Sequence, residues 1–326
     1  MPLNCRVALV RQRGKGVIVT TGSPPPLRIL VLPDGRRVAC AEYGDIGGLP
    51  VLALHGTPGS RLMFALADRE ARDRGIRLIA PERPGYGLSD YRRSETLAQI
   101  AEDLSAVADA YGLGRFAVIG VSGGGPYAVA AAEAMPDRIS LLALVAPIGE
   151  VADGQLRLSR FQKLLFRRLA QRPWATRLFF RRLRSMVFKW PDSAYRWLMR
   201  RVRTPDRELL ARSSVRISLQ AAMGEGLRPG VEGVAQDLRL YCSPWRLRFA
   251  DIDVPTILWQ GSDDPVVPPE AAYALARALP NCRLDVIPGA GHYWVFSQFG
   301  LILDAVAAVL RADAAERGET PVEPIE

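Results

Sequence analysis

The sequence predicts an α/β fold, in which a mostly parallel sheet carries helices on both faces and is interrupted by an inserted helical cap. Three observations lead to this fold class. Short apolar runs alternate with helical segments in both halves of the chain, which is typical of parallel sheets covered on both faces. A strand, a turn of small residues and a helix follow one another around Ser122. Between residues 150 and 240 the alternation stops, and a basic segment with helical spacing replaces it.

The individual elements follow from local signals. Pro33-Asp34-Gly35 is a turn signal between two short apolar-rich runs, so residues 28–32 and 37–41 are expected to form a hairpin. Elsewhere, apolar runs of strand length alternate with segments of helical spacing. The further predicted strands are 50–54, 77–80, 116–119, 139–145, 256–260 and 283–287, and the predicted helices outside the basic segment are 61–74, 97–111, 127–132 and 298–311.

These elements define a core and an insert. We expect residues 28–149 and 241–313 to form the α/β core and residues 150–240 to form a basic helical cap. Residues 1–27, which include three consecutive prolines at 24–26, are expected to form a flexible leader. Residues 314–326 contain four Glu, one Arg and two Pro, which predicts a disordered tail.

The net charge of +9 is concentrated in the predicted cap. Between residues 156 and 216 there are 18 Lys or Arg but only three acids, so this stretch carries +15 and the rest of the chain −6. Such a stretch can be a solvated face over ordinary helix packing, or it can attract an anionic substrate or the surface of an anionic membrane. Nucleic acid is not expected as a partner, because no nucleic-acid-binding motif accompanies the charge.

The cysteines and the apolar runs bear on location. Cys5, Cys40, Cys242 and Cys282 are dispersed, without a C-x-x-C motif, which disfavours a disulfide framework or structural zinc. No apolar run approaches the roughly 20 residues of a membrane span, and the N-terminus lacks the pattern of a secretory signal. A reducing cytoplasm is the expected compartment.

Ser122 is the candidate nucleophile. It lies in Gly120-Val121-Ser122-Gly123-Gly124, directly after a predicted strand and directly before a predicted helix. The small flanking residues allow the chain to reverse from strand to helix without a Cβ collision. A serine held on such a turn is exposed to a base and to backbone N–H donors, which together make its hydroxyl reactive.

The sequence offers two candidates for the base and two for the acid. His292 lies in the loop before the last helix, where the chain order Ser, acid, His would place a base, whereas His55 follows an early strand. Asp263 and Asp264 both follow the predicted strand 256–260, and Asp264, directly before a proline, is favoured. The acid would fix the tautomer of the imidazole and stabilise the imidazolium.

Five motifs together resemble the α/β-hydrolase superfamily, in particular its capped, esterase-like members. They are His55-Gly-Thr-Pro-Gly59, Arg83-Pro-Gly-Tyr-Gly-Leu-Ser89, Gly120-Val-Ser-Gly-Gly-Gly-Pro-Tyr127, Gly261-Ser-Asp-Asp-Pro-Val-Val-Pro268 and Gly289-Ala-Gly-His292. The resemblance covers roughly residues 28–313. It implies the α/β-hydrolase fold, with Ser122 as nucleophile, Asp264 as acid and His292 as base. It also implies an oxyanion hole formed by the backbone N–H groups of Gly123 and Thr57, and a structural role for His55.

The resemblance implies a serine hydrolase that cleaves a carboxylic ester or thioester through an acyl-enzyme, with no metal or organic cofactor. Dehalogenases and epoxide hydrolases of the family carry Asp where this chain has Ser122, which disfavours them. A proline-aminopeptidase-like peptidase is a lesser alternative, because that group usually has Gly at the position of Thr57 and needs cap acids. A non-catalytic ligand-binding or membrane-surface protein that retains the fold is the alternative from another class.

The predicted cap interrupts the core at the point where this family often carries one. We expect it to lie over Ser122, to supply the walls for an acyl chain and to exclude water. The aromatic residues of the cap, among them Trp174, Phe188 and Trp190, are expected to have an apolar face to bury. The partner predicted from the whole sequence is a small-molecule ester or thioester, with an anionic substrate or a peripheral membrane contact suggested by the charge.

Overall fold

The computed structural model of the chain describes residues 26–151, 162–200, 202 and 204–318. Nearly all of the predicted leader and part of the predicted cap and tail lie outside these described residues. The core is an eight-stranded sheet with the order β1-β2-β4-β3-β5-β6-β7-β8. The strands are β1 (Leu27–Val31), β2 (Arg37–Gly44), β3 (Leu49–Leu54), β4 (Ile76–Pro81), β5 (Phe116–Val121), β6 (Ile139–Val145), β7 (Thr256–Gly261) and β8 (Cys282–Ile287).

The sheet is mostly parallel, as predicted. The hairpin of β1 and β2 is antiparallel, and β2 joins the sheet antiparallel to β4, whereas β3 to β8 pair in parallel. Strands β5 and β6, inside the sheet, are buried along their whole length. This explains their almost continuous apolar sequences, since strands covered by helices on both faces have no solvent side.

Helices cover both faces of the sheet. The core helices are α1 (Asp68–Arg72), α2 (Ala98–Ala110), α3 (Gly125–Ala134), α9 (Pro269–Ala278) and α10 (Phe299–Glu316). Helices α2, α3 and α9 pack on the face that holds Leu52 and Leu54, and α10 packs on the face that holds Val51 and Ala53. Alternate residues of β3 therefore enter opposite cores, as the pleat of a strand requires.

Several boundaries differ from the prediction, and helix α9 has no counterpart among the predicted helices. The predicted helix 61–74 is divided into a 3-10 helix, Arg61–Ala67, and the short α1; apolar spacing over so few residues does not separate the two helix types. Helix α10 continues to Glu316, past the predicted start of the tail at residue 314. Asp313 holds this last turn, because its carboxylate accepts a hydrogen bond from Ser140 and pairs with Arg115.

The segment between β6 and β7, which we call the insert, is helical where it is described. It contains a π-helical stretch, Lys163–Leu169, followed by α4 (Pro173–Lys189), α5 (Pro191–Met199), α6 (Thr204–Ala211), α7 (Ser213–Gly226) and α8 (Glu232–Tyr241). Helix α7 packs on the 3-10 helix of the core, where Glu225 pairs with Arg61 at 2.9 Å. None of the helices in the described part of the chain is both long and apolar enough to cross a membrane.

Helix α4 has two contrasting faces. Thr176, Phe180 and Val187 are buried on the inner face. Trp174 and Phe188 lie on the outer face with 69% and 48% of their surface exposed, and Trp190, which follows the helix, is 60% exposed. The expectation that the aromatic residues of the cap would be buried is therefore wrong for these three, whereas Phe180 and Tyr195 are buried. Trp174 and Phe188 lie on the opposite side of α4 from the residues that pack inward.

Candidate active site

Ser122 occupies the turn between β5 and α3. Its φ angle is +52°, a left-handed conformation that a serine adopts only when the surrounding structure enforces it. The turn is tight because Gly124 lies against the backbone carbonyl of Leu54, so closely that a Cβ at this position would overlap it. The strand-turn-helix pattern in the sequence therefore produces a strained turn that presents the Ser122 hydroxyl at the carboxyl end of β5.

Three side chains from three loops meet at this turn. His292 Nε2 lies 3.0 Å from Ser122 Oγ, and His292 Nδ1 lies 2.7 Å from Asp264 Oδ2. The other carboxylate oxygen of Asp264 accepts the backbone N–H groups of Val266 and Val267 at 2.7 and 2.8 Å. These backbone hydrogen bonds hold the Asp264 carboxylate in place, and the carboxylate in turn orients the His292 imidazole toward the Ser122 hydroxyl. The three side chains have the geometry in which a base and an orienting acid activate a serine.

The surroundings of His292 alter its proton affinity. Burial lowers the pKa of the imidazole, but the charge and hydrogen bond of Asp264, together with the charge of Asp206, outweigh it and raise the pKa above its ordinary value of 6.5. An imidazolium formed during reaction would therefore be stabilised by two nearby carboxylates. This is the environment that a base needs when it must hold a proton transiently.

The competing candidates lie in different environments. Asp263 is exposed, and the described structure shows only its backbone N–H in a hydrogen bond, to Ala290. His55 is fully buried, with Nδ1 2.9 Å from the carbonyl of Gly56 and Nε2 accepting the N–H of Arg83 at 3.4 Å. Burial and the charge of Arg83 hold the pKa of His55 well below its ordinary value. Both nitrogens of this neutral ring form hydrogen bonds with backbone groups, so neither is available to Ser122.

Gly123 and Thr57, the residues that carry the two predicted oxyanion donors, lie in close contact. Gly123 directly follows Ser122, and a Cβ built on Gly123 would overlap the hydroxyl of Thr57. Thr57 lies in the loop after β3, and no residue of the described chain accepts its backbone N–H. An N–H without a protein acceptor beside a nucleophile is available to a developing oxyanion.

A cavity of about 460 Å³ opens at Ser122 and His292. The insert supplies much of its wall, with apolar side chains that include Leu165, Phe179, Phe180, Leu183 and Met223. No Lys, Arg, Asp or Glu of the described residues lines it. Across residues 26–151, 162–200 and 204–318, no group of three His, Cys, Asp or Glu is arranged to hold a metal ion. The cavity suits an uncharged, apolar group placed next to the Ser122 hydroxyl.

Asp206, in the first turn of α6, is one of the three acids between residues 156 and 216, and no local sequence pattern marks it as part of the site. It is 1% exposed, and its carboxylate accepts the backbone N–H groups of His292 and Tyr293 at 2.7 and 2.9 Å. Burial raises the pKa of Asp206, and these two hydrogen bonds oppose the rise. A residue of the insert therefore holds the loop that carries the candidate base.

Asp237, on α8, was not singled out from the sequence. Its buried carboxylate accepts hydrogen bonds at 2.5 to 2.6 Å from four side chains, Thr57, Arg83, Tyr86 and Tyr127, and lies 3.0 Å from the hydroxyl of a fifth, Tyr241. One sequence signal could have revealed it. Along α8, Val234, Leu238 and Tyr241 form an apolar helical face, and Asp237 interrupts that face with a charge that must find partners.

Known proteins share this architecture. Residues 50–298 match the family described as alpha/beta hydrolase fold. The chain is 25% identical over 280 residues to 2-hydroxymuconate semialdehyde hydrolase from Pseudomonas putida, which covers 81% of this chain and 86% of that protein. It is 25% identical over 291 residues to 2-hydroxy-6-oxononadienedioate/2-hydroxy-6-oxononatrienedioate hydrolase from Burkholderia vietnamiensis, covering 85% and 92%. A thermophilic esterase from Thermogutta terrifontis superimposes with a TM-score of 0.64 at 26% identity, covering 88% of this chain and 98% of the esterase. Because the family match covers about three quarters of the chain, including β4 to β8, the insert and the Ser122 turn, the chain belongs to the α/β-hydrolase fold family of enzymes.

Proposed function

We propose that this enzyme hydrolyses carboxylic esters or thioesters with an apolar acyl group, through an acyl-enzyme formed on Ser122. The observation that supports it best is the continuous contact from Ser122 through His292 to Asp264, at 3.0 and 2.7 Å, beside a cavity whose described wall is apolar. An apolar cavity beside an activated hydroxyl favours an acyl chain as the bound group.

The proposed reaction proceeds in two halves. Ser122 Oγ attacks the carbonyl carbon while His292 Nε2 takes the hydroxyl proton, and the tetrahedral oxyanion accepts the N–H groups of Thr57 and Gly123. The intermediate collapses to the acyl-enzyme, and the leaving alcohol or thiol takes the proton from His292. A water molecule, deprotonated by His292, then attacks the acyl-enzyme, and the intermediate collapses to release the acid while Ser122 Oγ takes the proton back from His292. Asp264 holds the imidazole and stabilises its charged form in both halves.

We further propose that residues 150–240 act as the predicted cap. Four of its described aromatic or aliphatic side chains, Phe179, Phe180, Leu183 and Met223, face the same cavity as Ser122. Such a wall would hold the acyl chain and keep bulk water from the acyl-enzyme. Acyl length is then the property that the cap selects.

A labelling experiment and a substrate series test the proposal. A fluorophosphonate probe should label the native enzyme and leave Ser122→Ala unlabelled, with both proteins showing the same thermal unfolding. Across p-nitrophenyl esters of increasing acyl length, kcat/KM should rise about fourfold per methylene until the cavity is full, because each buried CH₂ contributes about 0.8 kcal/mol. A native enzyme that stays unlabelled but binds fatty acids would instead support the non-catalytic alternative.

The described wall of the cavity weighs against two other substrate classes. The Burkholderia relative is named for a dioate, which carries two carboxylates, whereas no described Lys or Arg lines this cavity. An aminopeptidase must hold a substrate ammonium. The two fully buried acids of the insert, Asp206 and Asp237, are already used by backbone amides and by Arg83. Neutral esters should therefore be better substrates than dioates or peptides with a free N-terminus.

We also propose that the outer face of α4 contacts anionic membranes. Between residues 163 and 190 the sequence has nine Lys or Arg and no acid. Arg181 and Arg182 are exposed and pair with no acid of the described chain, and exposed Trp174 and Phe188 lie on the same side of the helix. Cations beside exposed aromatic side chains are typical of helices that lie on lipid surfaces. The inner face of the same helix lines the cavity, so substrates held in a bilayer would lie near the cavity.

Vesicle binding tests this contact independently of catalysis. Native enzyme and Ser122→Ala should both float with vesicles that contain phosphatidylglycerol and not with pure phosphatidylcholine. Arg181→Gln combined with Arg182→Gln should weaken binding about 30-fold, because each surface cation contributes about 1 kcal/mol. Arg69→Gln combined with Arg93→Gln, at exposed positions of the core, is the matched control and should change little. Equal binding to both vesicle types would contradict the proposal.

We also propose a cytoplasmic location, because the described cysteines are free thiols, as is usual in a reducing compartment. These are Cys40, Cys242 and Cys282, and burial raises the pKa of each, to about 12, 12 and 11. Such thiols are protonated and poorly reactive. Fractionation of cells that express the full chain should recover it with cytoplasmic markers and with the membrane fraction at low salt.

A further inference from the structure

Tyr241, the last residue of α8, lies between the two residues that carry the proposed oxyanion donors. Its hydroxyl is 2.8 Å from the carbonyl oxygen of Gly123 and 2.7 Å from Oγ1 of Thr57. The phenol is fully buried, and burial raises its pKa well above the ordinary value, so it remains a hydrogen-bond donor. The phenol can donate its one proton to the Gly123 carbonyl or to the Thr57 hydroxyl. Either hydrogen bond joins the insert to a loop that carries a proposed oxyanion donor.

Gly123 needs such a partner. A Cβ at this position would overlap the Thr57 hydroxyl and would lie 2.6 Å from the Tyr241 hydroxyl, so only glycine admits both. Glycine, however, leaves the backbone free to rotate, and a mobile peptide orients its N–H poorly. A hydrogen bond to the Gly123 carbonyl therefore restrains the backbone of Gly123, which has no side chain to restrain it.

Asp237 holds the other side of this arrangement. Its Oδ2 accepts the Thr57 hydroxyl at 2.6 Å and lies 3.0 Å from the Tyr241 hydroxyl. The same oxygen is 2.6 Å from Arg83 Nη2, and both charged side chains are almost fully buried. Because Arg83 balances the carboxylate, Asp237 can lie behind the oxyanion hole without repelling the negative charge that develops there.

We propose that Tyr241, held by Asp237, is a positioning residue that sets the geometry of the oxyanion hole formed by Thr57 and Gly123. This inference rests on the proposed acyl-transfer function. It assigns the insert a role in stabilising the transition state, beyond that of covering the acyl chain. Oxyanion donors are effective only when they are aimed, before reaction, at the position of the oxyanion.

A pair of phenylalanine substitutions tests the proposal. Tyr241→Phe and Tyr127→Phe each remove one phenol from Asp237, but among the described contacts only Tyr241 touches Gly123 and Thr57. We expect Tyr241→Phe to lower kcat about 30-fold with KM nearly unchanged, since misplacement of catalytic groups costs up to about 100-fold. Its affinity for a trifluoromethyl ketone, whose adduct with Ser122 carries an oxyanion, should fall by the same factor. Tyr127→Phe should alter both values by less than about threefold.

The outcomes separate a positioning role from a structural one. Equal kcat values for the two variants would overturn the inference, even if both lowered the unfolding temperature. A rise in KM with unchanged kcat would also overturn it, because that result would assign Tyr241 to substrate binding. If Tyr241→Phe does not fold, Thr57→Val removes the other hydroxyl of the contact and should give the same loss of kcat. A native enzyme that neither reacts with the probe nor hydrolyses esters would refute the proposed function itself, a result that these variants cannot produce.

Discussion

The core and the insert both bring buried carboxylates to the candidate active site, and the two regions use them differently. Asp264, from the core, contacts the ring of His292 directly at 2.7 Å. Asp206 and Asp237, from the insert, contact backbone amides and hydroxyls around the site, while no described hydrogen bond joins either to the imidazole or to Ser122. The core thus supplies the acid of the proposed triad, and the insert supplies acids that hold its loops.

The two insert acids also differ from each other. Asp237 is balanced by the buried cation of Arg83 and lies among five donors. Asp206 has no cationic partner among the described residues and is compensated by two backbone N–H groups. Consequently, loss of Asp237 should chiefly affect folding, whereas loss of Asp206 should chiefly affect the proton affinity of His292.

The largest expected effect belongs to the core acid. Asp264→Asn should lower kcat about 10⁴-fold, because the amide nitrogen would face His292 Nδ1 as a donor and select the wrong tautomer. Asp263→Asn is the matched control, and its kcat should stay within about twofold of the native value because Asp263 is exposed. A greater loss from Asp263→Asn in steady-state ester hydrolysis would assign the acid to Asp263.

This contrast explains what the sequence could reveal. The strands of the sheet and the triad candidates are carried by local patterns: apolar runs, the turn around Ser122, and loops that follow a strand. Asp237 contacts Thr57 across 180 positions of the chain, and Asp206 contacts His292 across 86. No local pattern specifies such pairs. Helical spacing showed that α4 has an apolar face, but three aromatic residues lie away from that face, where spacing alone does not specify their partners.

The second prediction concerns stability. Asp237→Asn should lower the free energy of unfolding by about 3 to 5 kcal/mol, because it leaves Arg83 as a buried cation without its partner. Glu232→Gln, on the same helix, breaks a half-exposed pair with Arg177 and should cost less than about 1 kcal/mol. Denaturant unfolding of the two variants measures the difference. Equal losses would mean that Arg83 finds another acceptor when Asp237 is neutralised.

The third prediction concerns pH. The pKa of His292 is raised by Asp264 and Asp206, so kcat/KM should increase with pH through a midpoint above 6.5 and level off once the imidazole is neutral. The other titratable group against His292 is Tyr293, which remains neutral because burial raises its pKa. Asp206→Asn removes one of the two negative charges and should move the midpoint to lower pH. It should also lower the plateau about tenfold, since one amide N–H of the His292 loop loses its acceptor.

The control for this shift is another acid of the insert. Asp192 is half exposed and pairs with Arg216 at 2.8 Å, away from the groups that shift the pKa of His292. Asp192→Asn should leave the midpoint in place. A midpoint that is unchanged in Asp206→Asn, or that moves to higher pH, would show that the charge of Asp206 does not reach the imidazole.

The smallest expected effect comes from Arg181 and Arg182, two cations of the insert that lie on the opposite side of α4 from the cavity. Arg181 and Arg182 are exposed to water, and salt screens such charges over about 8 Å at physiological ionic strength. They should therefore speed the encounter with an anionic ester without binding it in the cavity. At low salt we expect kcat/KM for an ester with an anionic leaving group to exceed that for a neutral ester of equal acyl length by about threefold, and the ratio to approach one at high salt. Arg181→Gln combined with Arg182→Gln should abolish the low-salt difference. A preference that persists at high salt would instead require a cation inside the cavity, contrary to the apolar wall that the described residues form.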